Sequence, residues 1–62
     1  MRPLEDKVEG LYIFTFFDRM FQIFITRVTD DTFDIISEVQ SGTISEAIEE
    51  HKSTVCYYKK KK

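Results

Sequence analysis

Residues 11–28, LYIFTFFDRMFQIFITRV, decide what this chain can be. They hold five of its six phenylalanines, together with Tyr12 and four Leu or Ile residues. Read as strand, turn and strand, 8–17 and 20–29 form a hairpin with its turn at Asp18-Arg19. Successive side chains of a strand alternate between faces. Tyr12, Phe14 and Phe16 therefore point one way, and Leu11, Ile13, Thr15 and Phe17 the other. The second strand alternates Met20, Gln22, Phe24, Thr26 and Val28 against Phe21, Ile23, Ile25 and Arg27. Neither face of this hairpin is clearly polar.

Thr29-Asp30-Asp31 is the next turn. Residues 32–40, TFDIISEVQ, fit two patterns. A strand puts Phe33, Ile35 and Val39 inward and Asp34, Glu38 and Gln40 outward, with Ile36 as the exception. A helix aligns Phe33, Ile36 and Val39, with Gly42 just past its end. The β-branched residues favour the strand, and the helix stays open as the alternative. Residues 43–53 are the clearest helix. Thr43 and Glu46 stand at capping-box spacing, and Ile44, Ala47, Ile48 and His51 form one apolar stripe. Residues 55–58, VCYY, read as a short last strand, and 1–7 and 59–62 as loosely ordered tails. The expected architecture is a single α+β domain: a small antiparallel sheet in the order β-β-β-α-β with one helix packed on one face.

One helix covers only one face of such a sheet. The other face should expose several aromatic rings, more than a soluble monomer usually shows. A second copy of the chain or a larger target protein is the expected cover. Candidate protein-binding residues are Tyr12, Phe14 and Phe16 on the sheet and Glu46, Glu49 and Glu50 on the helix.

Composition narrows the chemistry. A 62-residue chain buries only about 60% of the surface that its unfolded form exposes, so it is marginal without a staple. A single cysteine, Cys56, cannot form an intrachain disulfide, and a single histidine, His51, offers no His/Cys zinc cluster. Cys56 and His51 are the only thiol–imidazole pair. They read as a buried strand thiol and a histidine near a helix C-terminus. Gly10 and Gly42 make no phosphate-cradling loop. No catalytic residue, metal or cofactor is expected.

Residues 1–58 carry eleven acidic and five basic side chains, −6 in all, and Lys59, Lys60, Lys61 and Lys62 return +4. An acidic body disfavours nucleic acid as a ligand. Two alternatives remain. Glu46, Glu49, Glu50, Asp30, Asp31 and Asp34 could mimic phosphates, as an acidic anti-CRISPR protein would. Tyr57, Tyr58 and the lysine run could instead bind nucleic acid. The apolar run 11–25 is shorter than a membrane span and broken by Asp18-Arg19, and the charged N-terminus lacks a secretory pattern. A lone thiol then points to a reducing cytoplasmic compartment.

The run FQIFITRVTDDTFDIISEVQSGTISEAIEEHKS followed by VCYY resembles the layout of small phage host-takeover proteins, among them a phage inhibitor of bacterial RNA polymerase. The shared features are a hairpin, a small-residue turn into a helix of the type Ile44-Ser45-Glu46-Ala47-Ile48, and a last strand. The aromatic first strand departs from that pattern, and no binding residue carries over. The resemblance implies stoichiometric binding to a larger host protein, such as a polymerase, a defence nuclease or a toxin, without catalysis.

Overall fold

A computed structural model describes residues 2–60. Four antiparallel strands, β1 (Leu4–Val8), β2 (Leu11–Asp18), β3 (Ile23–Thr29) and β4 (Ile35–Ser41), form one sheet in sequence order. One helix, α1 (Ile44–Lys60), follows and packs across one face. The fold is α+β, but its order is β-β-β-β-α, and the expected last strand is absent from it.

The N-terminal end differs first. Residues 4–8 are a paired strand where a loose tail was expected, and the single strand expected over 8–17 is divided by a turn. Val8 pairs with Leu11 across Glu9-Gly10, whose φ angles of 51° and 79° are those of a type I′ turn. That turn matches the twist of the flanking strands, so the chain reverses after only five residues of β1. A Cβ added at Gly10 would meet nothing within 4 Å. The penalty for Gly10→Ala is therefore the left-handed backbone alone. We expect a loss of about 1 kcal/mol in urea unfolding, with an unchanged circular dichroism spectrum.

The β2–β3 turn is also longer than Asp18-Arg19. Asp18 pairs with Ile23, leaving a four-residue loop, so the second hairpin strand begins at Ile23 and not at residue 20. The Asp18 carboxylate accepts the backbone N–H groups of Met20 (2.9 Å) and Phe21 (3.3 Å), and Gln22 takes the left-handed conformation, φ 54°. Of the ambiguous stretch 32–40, residues 35–40 are strand, and β4 continues to Ser41. The β3–β4 register shifts between Val28 and Thr29: Val28 faces Ser37, whereas Thr29 faces Ile35. This bulge turns Ile35 away from the face that carries Val39, so the two are not inward together as expected.

The helix starts as the capping box requires, with the Glu46 N–H donating to the Thr43 hydroxyl at 3.2 Å. The hydroxyl in turn donates to the Glu46 carboxylate at 3.0 Å. The helix then runs on through 55–58, the expected last strand. Val55 and Tyr58 continue the stripe of Ala47 and His51 and pack on the core cluster of Val8, Ile13 and Val28. Cys56, expected to be buried in a strand, is exposed on this helix. Lys59 and Lys60 belong to its last turn, while Lys61 and Lys62 lie outside the described residues. The hairpin, helix and last strand that carried the phage-protein resemblance thus lose their final member.

Candidate functional site

The cross-strand pairs sort the two faces of the sheet. Ile13 opposite Val28 and Thr15 opposite Thr26 lie under the helix; all four are buried. Phe14 opposite Arg27 and Phe16 opposite Ile25 lie on the face that the helix leaves bare. Tyr12 shares this face by alternation along β2. The period-two pattern of 11–17 therefore places Leu11, Ile13 and Thr15 under the helix and Tyr12, Phe14 and Phe16 on the face without it, while Phe17, of the first set, stays 43% exposed at the strand end.

These rings form one aromatic tier. Tyr12 and Phe14 are parallel to within 11°, with centroids 6.2 Å apart. Phe33, from the β3–β4 loop, stacks on Tyr12 at 5.9 Å. The Lys7 ammonium lies 5.3 Å from the Tyr12 ring, and the Arg27 guanidinium 5.2 Å from that of Phe16. Arg27 also meets Glu38 at 2.6 Å, which keeps its charge local. A pocket of about 440 Å³ opens here between Phe14, Phe16, Phe33, Ile35, Arg27 and Pro3. It also touches Thr29, the residue at the bulge, whose hydroxyl is buried without a hydrogen-bond partner among the described residues.

Phe33 holds its place at a conformational cost. It sits at φ 66°, where bulky side chains are disfavoured, and is 70% exposed. Asp30 builds the loop that imposes this. Its carboxylate accepts from the Thr32 hydroxyl (2.7 Å), the Thr32 N–H (2.9 Å) and the Asp34 N–H (3.0 Å), while its carbonyl accepts from the Phe33 N–H (3.0 Å). The Thr32 hydroxyl, followed by the Asp34 N–H, holds the Asp30 carboxyl below the usual carboxylate range. Sequence reading pointed Phe33 inward. Phe33 lies in the loop before β4, so strand alternation does not apply to it and the Asp30 hydrogen bonds set its direction.

The other candidates are separated from this tier. Glu46, Glu49 and Glu50 stand on α1, over the opposite face, so the six protein-binding candidates divide into two surfaces. Tyr57 and Tyr58 meet edge to face, centroids 5.0 Å apart, but Tyr58 packs against the core cluster. The two rings therefore do not make the open stacking platform that the nucleic-acid alternative needs.

Beneath the helix lies a hydrogen-bond chain that the sequence reading did not anticipate. Thr26 and Thr15 hydroxyls are 2.9 Å apart, Thr15 is 2.7 Å from His51 Nδ1, and His51 Nε2 is 2.7 Å from the Asp6 carboxylate. One direction of donation leaves no proton idle: Thr26 to Thr15, Thr15 to Nδ1, and Nε2–H to Asp6. The residue types resemble a nucleophile–imidazole–carboxylate triad, yet Thr15 is wholly enclosed and its hydroxyl meets no solvent. The chain of bonds ties β1, β2 and β3 to α1. The available signal was the pair of inward threonines, at 15 and 26, facing the only histidine. His51 lies inside the helix and is buried, away from the C-terminal position expected of it.

Among the described residues no group of three or more His, Cys, Asp or Glu side chains could hold a metal ion, and no helix is long and apolar enough to cross a membrane. Comparison with known proteins returned no match to any family model, curated protein or solved structure.

Proposed function

We propose that this chain acts by stoichiometric binding to a larger protein, as an inhibitor or regulator, and that the helix-free face of the sheet is its contact surface. The observation that carries this reading is the Tyr12–Phe14–Phe16–Phe33 tier: three half-buried rings and one exposed ring on the face without a helix, the exposed one held on strained backbone. Aromatic side chains with a neighbouring guanidinium are the groups that dominate binding energy at protein interfaces. Strain of this kind persists where function requires it. The enclosed Thr15 hydroxyl supports binding over catalysis, since no substrate reaches it.

Two variants separate a binding ring from a structural one. Phe33→Asn suits the left-handed backbone better and leaves the sheet face one ring short. Phe14→Thr keeps strand propensity and removes the central ring. The expected result is a Phe33→Asn stability within about 1 kcal/mol of the parent. A protein captured in equimolar amount by the parent chain should be lost with either variant and kept by Glu49→Lys. Retention of that partner by both ring variants, or its loss with Glu49→Lys alone, overturns the assignment and moves the contact to the helix.

A further inference from the structure

The two edges of the sheet are built differently. β1 is entered from Pro3 and carries Glu5, Asp6 and Lys7, the proline and charges with which sheet edges resist pairing. β4 has neither proline nor lysine. It exposes Ile35 (58%), Ile36 (50%) and Val39 (36%), and its single charge, Glu38, is turned back onto Arg27 of β3. Among the described residues no strand lies beyond β4, so its outer row of backbone N–H and C=O groups is open to pairing. The core is correspondingly thin: Val8, Ile13, Ile25, Val28 and Ala47 are the buried apolar side chains. Domains of this size commonly gain their remaining stability by self-association.

We propose that two copies of the chain pair through β4, antiparallel about a two-fold axis at Val39, to form one continuous eight-stranded sheet. The register follows from the strand's own residues. A two-fold axis normal to the sheet sets residues of the same face opposite one another, so it must pass through a residue of β4. At Ser37 the pairing would run into the bulge at Ile35 and Ile36. An axis at Glu38 would oppose two carboxylates, which is destabilising. At Gln40 the paired segment would run past the end of the strand into Gly42. At Val39 the strand meets its copy well: Val39 faces Val39 of the partner subunit, Glu38 accepts from the side-chain amide of the partner's Gln40, and Ser37 faces the partner's Ser41. Both helix-free faces then lie on the same side of the joined sheet, leaving the aromatic tier of each copy uncovered.

The test is oligomeric state, which reads separately from the capture of any other protein. Sedimentation across a concentration series should show a monomer–dimer equilibrium for the parent chain. Val39→Lys and Val39→Glu should each weaken it by more than about 100-fold, because like charges then meet at the axis. Mixed in equal amounts, the two variants should form a heterodimer. In a Cys56→Ser background, Val39→Cys should oxidise to a covalent dimer, an outcome that holds even where a charged variant fails to fold. A parent chain monomeric throughout, a Val39→Lys dimer as tight as the parent, or the absence of a cross-link in the Val39→Cys variant overturns the proposal.

Discussion

His51→Ala is expected to remove most of the folding stability at room temperature. The imidazole is 4% exposed and bridges Thr15 on β2 to Asp6 on β1 from the middle of α1. Truncation removes both bonds and opens a cavity between helix and sheet. A buried group left without its partner costs about 1–3 kcal/mol, and large-to-small truncations in a core cost about 2–5. Even the lower part of that combined range, about 3 kcal/mol, rivals the roughly 3–5 kcal/mol that a single small core supplies. Far-ultraviolet circular dichroism with urea titration measures the loss. Thr15→Val provides the companion measurement: it keeps the volume, strips the hydroxyl between Thr26 and His51, and should cost about 2 kcal/mol. A His51→Ala chain within about 1 kcal/mol of the parent would show that the bond chain does not hold the helix.

Ile13→Ala should be nearly as damaging, for a purely apolar reason. Ile13 is wholly buried, faces Val28 across the hairpin, and sits where Val55 and Tyr58 of α1 land. We expect a loss of about 3 kcal/mol, with the cost set by how far the neighbours collapse into the vacated space. Val39→Ala removes a residue of similar chemistry from the partly exposed edge strand and should cost less than about 1 kcal/mol in the monomer. Equal losses at the two positions would mean that the core does not lie between α1 and the β2–β3 hairpin.

Together these effects show how the molecule divides its labour. One face of the sheet holds the fold together through a few small apolar groups and a hydrogen-bond chain. The other face carries the half-buried rings of Tyr12, Phe14 and Phe16 over the buried Ile25, with Phe33 exposed beside them. The Asp30 turn contributes to the second role: its hydrogen bonds keep Phe33 in a backbone state that an aromatic residue avoids when free.

Several features were legible in the residues alone. Alternation in 11–17 separated Ile13 and Thr15 from Tyr12, Phe14 and Phe16, because the strand period is a local property of the backbone. Thr43 and Glu46 marked the start of the helix for the same reason: a cap is made within one turn. Of the expected stripe, Ala47 and His51 are buried, whereas Ile44 and Ile48 stay exposed because the sheet beneath the helix is too narrow to cover them. What the residues did not disclose were outcomes of long-range pairing. Residues 55–58 have strand-like side chains, but Val55 and Tyr58 extend the stripe onto Val8, Ile13 and Val28, and that burial outweighs their propensity. Glu9-Gly10 became a turn because 4–8 found a partner in β2. The bulge at Thr29 turned Ile35 to the aromatic face because two strands had to be matched across a shifted register, and the Asp30 loop set Phe33 on Tyr12. The sequence by itself determined the faces of the β2–β3 hairpin and the helix start, which need only neighbours along the chain. Tertiary structure decided how far each element runs and which rings meet, because those depend on contacts between residues distant in sequence.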